Sequence, residues 1–272
     1  MYKTILTYLP SPQSAPVLTE VAASLAEKCG AYLIGAHNSA RLSLYGGIPA
    51  DYLAQFNQQQ RDDAAAIRES FEQIASERSL PHEWRHKAMK DTDAFDDIVT
   101  QGRAADLIVA GGRGQEDPLG EWYDLPIRLV METGRPVLLV PVDGQFSVIG
   151  ERVTVAWNHT RESARAAFDA LPLLKLASSV RVLAVNSTNA GAGSPSEDLA
   201  ATLSRHGVDA VASVATTTSR SDGEELLASL TGDGSDLLVM GCYGHSRLRE
   251  MVLGGATRQV LATMRTPVLM SH

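Results

Sequence analysis

The sequence predicts an α/β protein built from two tandem copies of one five-stranded parallel-sheet plan, and three observations carry that prediction. The first is an internal repeat, the feature that constrains a fold most strongly. Asp106-Leu107-Ile108-Val109-Ala110-Gly111-Gly112-Arg113-Gly114 matches Asp236-Leu237-Leu238-Val239-Met240-Gly241-Cys242-Tyr243-Gly244, and each ends in Gly-x-x-Gly. Arg135-Pro136-Val137-Leu138-Leu139-Val140 likewise matches Thr266-Pro267-Val268-Leu269-Met270-Ser271, and the opening Tyr2–Thr7 pairs with Arg152–Ala156. The second observation is a regular alternation of short, apolar, β-rich runs with helical patterns. The third is that runs such as Leu237-Leu238-Val239-Met240 are apolar along their whole length. A strand of that kind is buried on both faces, which is the condition of a parallel sheet sandwiched between helices.

In the first copy the strands are expected near 3–8, 32–37, 83–88, 106–110 and 136–141. An insertion of about 38–78 precedes the third strand, with Leu42 to Tyr52 rich in Gly and Tyr and Gln55 to Arg78 polar and helix-like. Asp143 to Gly150 forms the link, so the domains are set at 1–143 and 150–272. The second copy has strands at about 151–157, 180–186, 210–215, 236–240 and 267–271, with helices near 196–206, 222–231 and 255–265. Thr160 is placed to cap a helix whose apolar face is Ala164, Ala167, Phe168, Leu171 and Leu174. The last strand of each copy, Pro136 to Val140 and Pro267 to Met270, would leave unpaired backbone groups at a sheet edge. Their mutual antiparallel pairing is expected, so that one chain mimics a dimer.

Composition narrows the partners. Of the 272 residues, 44% are apolar and 21% charged, which suits a globular core. Acidic residues outnumber basic ones 32 to 24, and the net charge of -8 opposes the phosphate neutralisation that nucleic-acid binding requires. No apolar run approaches the ~20 residues of a membrane span, and Met1-Tyr2-Lys3-Thr4-Ile5-Leu6 lacks the order of a signal peptide, so a cytoplasmic protein with no membrane partner is expected. Two cysteines, Cys29 and Cys242, fit a reducing compartment.

In open parallel sheets ligands bind beyond the carboxyl ends of the strands. After the fourth strand of the second copy the chain runs from Gly241 through Gly244, His245 and Arg247 to Gly254, Gly255, Ala256 and Thr257, where a helix begins. Glycines at 241 and 244 let a backbone approach closely. Gly254 and Gly255 lead into a helix N-terminus, whose unpaired N–H groups and about half a positive charge attract an anion. Thr257 adds a hydroxyl, and Arg247, Arg249 and Arg258 either supply positive potential or are solvated surface charge. An isolated Gly-x-x-Gly merely turns a chain. The second glycine pair, at a helix start after a buried parallel strand, turns the reading toward a phosphate site.

On these residues the chain resembles a tandem universal stress protein. That family's repeats carry Gly-x-x-Gly, nine residues, then Gly and Ser or Thr; here Gly241, Gly244 and Gly254 fall on the three glycines and Gly255 replaces the hydroxyl residue. The resemblance implies the adenine nucleotide alpha hydrolase-like fold, pairing of the copies through their last strands, and ATP or AMP as ligand. It sets Asn158 at the ribose, where the family usually has Asp, so magnesium is in question. It sets adenine against the backbone of Val185. The residues alone equally allow Asn158 as a turn former and Val185 as plain core strand.

The first copy departs from the pattern. Gly114 is followed by Gln115 to Pro126 without the later glycine, Tyr123 or Asp124 takes its place, and Asp124 with Pro126 reads as a helix start that its own carboxylate can cap. Its first strand ends Tyr8-Leu9-Pro10, with no acid or amide. One site per chain, in the second half, is therefore expected, the first half being mainly structural. His82-Glu83-Trp84-Arg85-His86 spells a zinc-protease string but falls on an expected strand, where residues four apart lie roughly 13 Å from each other. Two other functions compete: a nucleotide-independent stress regulator or scaffold with an unidentified protein partner, and a slow ATP hydrolase, which the lack of a Walker lysine disfavours. Association into a homodimer is left open.

Overall fold

The computed structural model describes residues 1–40, 49–89, 94–112, 121–141, 143–146, 148–186, 195–242 and 255–272. The chain divides into two compact units, one formed by Tyr2–Gly111 with Tyr123–Arg135, the other by Gly112–Trp122 with Pro136–His272. Among the described residues no helix is long and apolar enough to cross a membrane.

The N-terminal unit runs β1 (Thr4–Tyr8), α1 (Ala15–Cys29), β2 (Tyr32–Ala40), α2 (Ala50–Glu77), β3 (His82–Met89), α3 (Ala94–Gly102), β4 (Leu107–Gly111) and α4 (Glu121–Glu132). Its strands lie in the order β3-β2-β1-β4 and are parallel. Ile5, Leu6, Leu107 and Ile108 are fully buried, as the unbroken apolar runs required. α1 stops at Gly30, whose φ of 60° turns the chain into β2. The same turn after α2 is made by Ser79 at φ 53°, a conformation that costs an L-residue about 1 kcal/mol. Phe71 of α2 lies flat against Gly35 of β2, where a Cβ would meet the ring at 2.8 Å. The zinc-protease string forms β3, with His82 Nδ1 bonded to Leu80 O and His86 Nε2 to Ser39 Oγ.

The C-terminal unit runs β5 (Val137–Val140), β6 (Arg152–Ala156), α5 (Arg161–Asp169), α6 (Leu171–Leu174), β7 (Ser179–Val185), α7 (Pro195–Arg205), β8 (Ala210–Ala215), α8 (Asp222–Asp233), β9 (Leu237–Gly241), α9 (Ala256–Thr263) and β10 (Val268–Ser271). The strand order is β5-β10-β9-β6-β7-β8. All pairs are parallel except β5 with β10, which run antiparallel with Leu139 opposite Val268 and Val137 opposite Met270.

The aspartate that opens each repeat motif has a structural task. Asp236 accepts hydrogen bonds from the backbone N–H groups of Gly150 (2.7 Å), Glu151 (3.1 Å) and Arg152 (3.1 Å), just before β6. Asp106 accepts from Lys3 (2.7 Å) and Thr4 (3.0 Å) at the start of β1. In both copies one carboxylate fastens the first strand to the fourth, and the backbone N–H of the same aspartate completes the tie by donating to Arg152 O or Thr4 O.

Two expectations need correction. Phe168 is 44% exposed, and the buried face of α5 and α6 is Ala166, Ala167, Ala170, Leu173 and Leu174. The small alanines let α5 pack closely and rotate the phenyl ring outward, where it meets His206 edge-on. α4 begins at Glu121, so Asp124 and Pro126 sit inside the helix and not at its cap. Residues 121–123 extend the helix backward, at the cost of the one backbone bond that Pro126 cannot donate.

Candidate functional site

The carboxyl ends of β6, β7 and β9 meet the starts of three helices. β6 gives way to Trp157, whose N–H donates to Leu183 O (2.8 Å) and extends the ladder with β7 by one residue. Asn158 follows, exposed, with its Oδ1 accepting from Thr160 N–H (3.3 Å) and Thr160 Oγ1 (2.9 Å). His159 sits at φ 63°, which bends the chain into α5. Thr160 caps that helix as expected, its hydroxyl accepting from Ser163 N–H.

Gly241 ends β9 directly against this turn. A Cβ there would stand 2.5 Å from the carbonyl carbon of Glu162 and 2.5 Å from Ser163 N. The close approach that the motif reserves at this glycine is therefore made by the backbone of α5's first turn. Cys242 is buried next to it, its N–H donating to Ser271 O and its carbonyl accepting from His272 Nδ1. Glu162 is buried behind the same turn. Burial would raise its carboxyl pKa, but the Arg161 guanidinium at 2.7 Å, its own backbone N–H and Thr160 outweigh that and hold it below the usual range.

A second group of ends lies on the β7 side. Val185 is the last residue of β7, beyond the last β6 partner of that strand, which is Leu183. Asn186 adopts φ 50°, and its Nδ2 donates to Asp222 (2.7 Å) in the first turn of α8 while its Oδ1 accepts from Thr217 N–H (2.9 Å). The next residue, Gly223, carries α9: a Cβ on it would meet Ala256 Cα at 3.2 Å and Gln259 Cβ at 2.9 Å. α9 thus begins beside α8's first turn, which Asn186 ties to the end of β7.

Gly255 is the N-cap of α9, in an extended conformation (φ -64°, ψ 157°), and its carbonyl accepts from Gln259 N–H. Having no side chain, it offers the first turn no capping oxygen. Ala256 opens the helix half-buried, and Thr257 is buried, 5% exposed. Of the predicted site residues, Asn158, Val185, Gly241, Gly255, Ala256 and Thr257 fall at these strand and helix ends; Gly244, His245, Arg247 and Gly254 lie outside the described residues. Trp157, Asn186 and Gly223 were not singled out by the sequence. Among the described residues the buried Trp157 indole N–H has no hydrogen-bond partner, and the asparagine in a left-handed turn was the one local signal for Asn186.

At the matching place in the N-terminal unit, Leu9 N–H donates to Ala36 O as Trp157 donates to Leu183. Leu9 is fully buried, and its carbonyl is bonded by Nδ1 of the buried His37 (2.8 Å), which stacks on His86 with ring centres 5.5 Å apart. An imidazole thus stands on the strand end where the second copy has Ala184.

No family model matches the chain. A curated universal stress protein of Synechocystis sp. is 47% identical over 47 residues, a match that spans 17% of this chain and 16% of that protein. Among solved structures, a universal stress protein from Archaeoglobus fulgidus superposes with a TM-score of 0.74 at 16% identity, over 98% of this chain and 97% of the other. A protein of Pseudomonas aeruginosa PAO1 described as functionally unknown gives a TM-score of 0.56 at 16% identity, over 99% and 92%. The antiparallel β5–β10 ladder, the parallel order of the remaining pairs and this full-length superposition lead to one statement: the fold of this chain is that of the universal stress proteins.

Proposed function

We propose that the chain is a tandem universal stress protein whose C-terminal half binds an adenine nucleotide, ATP or AMP, while its N-terminal half is mainly structural. The observation that carries the reading is the start of α9. Its N-cap is a glycine with no side chain to satisfy the first-turn N–H groups, and it follows the glycine loop of the second repeat. Such a terminus favours a phosphate by geometry and by dipole. Val185, at the end of β7, is the counterpart surface for adenine, and Asn158 is the residue nearest in kind to a ribose partner. Asn158 carries no charge, so a magnesium ion would be held by the phosphates and water. The filled strand end at Leu9 and His37 supports a single site. Cys29 and Cys242, both buried thiols, support a cytoplasmic protein, and the β5–β10 ladder supports an intrachain pseudo-dimer.

Equilibrium binding of labelled ATP and AMP to the intact chain and to Gly255→Asp tests this. The extended backbone at 255 accepts any L-residue, and aspartate is a good N-cap, so the variant should fold at least as well. Its carboxylate would occupy the anion's donors and repel a phosphate about 5 Å away by roughly 3 kcal/mol at an effective dielectric near 20, a loss of about a hundredfold. Absence of binding to the wild-type chain, or equal binding to both, refutes the reading. One observation favours a nucleotide-independent scaffold instead: the Asn158 amide oxygen is already engaged by Thr160. The same titration decides between them.

A further inference from the structure

β8 ends the strand order of its unit, so one row of its backbone groups faces outward. The inner ladder tells which. Val180 N–H donates to Asp209 O and Asn186 N–H to Ala215 O, so the odd-numbered residues address β7. A parallel strand alternates its peptide groups between its two sides. Ala210, Ala212 and Val214 therefore turn N–H and C=O away from the sheet.

Proteins guard such an edge with charge, proline or a bulge. The outer strand of the N-terminal unit, β3, is guarded: Glu83, Arg85 and Lys87 alternate along it, Arg85 pairing with Glu83 and Lys87 with Asp97. β8 reads Ala-Val-Ala-Ser-Val-Ala, without charge or proline, and keeps its register with β7 through all six residues. Val211 is 64% exposed and Val214 36%.

We propose that β8 is a self-association edge, through which two copies of the chain join as antiparallel strands about a two-fold axis at Ser213. Directly opposed residues in an antiparallel pair share a face, so a two-fold axis through the sheet must pair residues of like parity. Centred on Ser213, the ladder sets Ala212 against Val214 of the second copy and Ala210 against its Thr216, using every outward group. Val211 meets Ala215, and Ser213 lies opposite Ser213 of the second copy. Centred on Ala212 instead, the ladder leaves Thr216 unpaired and opposes Ser213 to Val211. A second copy is the occupant because it brings the same outward row, small side chains that fit across it and no charge to desolvate. β3 would bring three charged side chains to the junction.

Sedimentation of the intact chain at roughly 100 μM, where a contact with a Kd near 10 μM is mostly dimer, should show twice the monomer mass. Ala212→Pro deletes an outward donor that the β7 ladder does not use, and Val214→Lys sets a charge in the junction that stays hydrated in a monomer. Both should sediment as monomers with an unchanged circular dichroism spectrum. Ser213→Cys places two thiols at a non-hydrogen-bonded antiparallel pair, about 4.5 Å between Cα atoms and within reach of a disulfide, so mild oxidation should yield a covalent dimer that the wild-type chain does not form. A monomeric wild-type chain, a dimer that persists in both ladder variants, or a Ser213→Cys chain that fails to cross-link overturns the proposal.

Discussion

Gly241→Ala separates the architectural use of the repeat glycine from any use by a ligand. The added methyl would stand 2.5 Å from two backbone atoms of Glu162 and Ser163 and 2.8 Å from Glu162 O. Ordinary contact begins near 3.5 Å, so α5's first turn must retreat by about 1 Å, and no side-chain rotation can absorb the clash. Overpacking of this kind costs roughly 1–3 kcal/mol, offset by up to about 1 kcal/mol from the stiffer unfolded chain, for a net loss of about 1–2 kcal/mol. In a unit of this size that corresponds to a fall in melting temperature of roughly 3–8 °C. The control is Gly112→Ala, where the methyl would run into the terminal methyl of Met264, a flexible group that can move, while Val140 O lies at 3.4 Å. Thermal unfolding followed by circular dichroism should rank the two, Gly241→Ala clearly lower and Gly112→Ala within about 1 kcal/mol of wild type. If both variants melt alike, the tight packing of α5 on Gly241 is not a constraint and the argument fails.

Two further outcomes follow from the N-terminal unit. Ser79→Gly removes a left-handed residue from the turn after α2, where the second repeat uses Gly207 (φ 82°); denaturant titration should show a gain of about 0.5–1 kcal/mol, and a loss would contradict the assigned backbone. His37 has its pKa lowered, first by burial and also by the neighbouring His86, against the Leu9 carbonyl bond and the Asp63 charge, which raise it. A histidine depressed in the folded state leaves stability complete above the unfolded value near 6.5, and stability falls as pH drops below it until the folded ring also takes a proton. Unfolding free energies from denaturant titrations between pH 7.5 and 5.5 should therefore fall by up to about 1.4 kcal/mol per pH unit for this group, and less steeply in His37→Phe; identical slopes would remove His37 from the account.

All strands but β2, which runs to Ala40 and so three residues past its expected end, were legible to within one or two residues, the central ones because they are buried throughout. An unbroken run such as Leu237-Leu238-Val239-Met240 has no solvated face in any packing, so its fate is written locally. The helices of the second repeat were readable for a similar reason, from caps and spacing. What the sequence did not disclose depends on contacts between segments far apart. Gly241 reads as a place for a ligand until the first turn of α5 is found against it. Gly223 reads as an ordinary helix residue until α9 crosses it. The outward turn of Phe168 follows from how closely the alanines of α5 approach the sheet, which spacing alone does not encode. The start of α4 at Glu121 overrode a good cap at Asp124, at the expense of the one backbone bond that Pro126 cannot donate.

The two copies differ least where the fold is made and most where it ends. Asp106 and Asp236 perform one task, each tying the start of the first strand to the fourth beside the backbone ladder. Beyond the last ladder bond that constraint lapses. At the end of the first strand one copy has Leu9, whose carbonyl a buried imidazole bonds, and the other has Trp157 and Asn158, with a helix nearby whose N-cap, Gly255, has no side chain. The outer edges diverge in the same way, β3 carrying alternating charge and β8 none. Sites and surfaces are free to change where no backbone partner depends on them, so in a duplicated chain of this kind the unequal ends, and not the shared motif, are where function is to be sought.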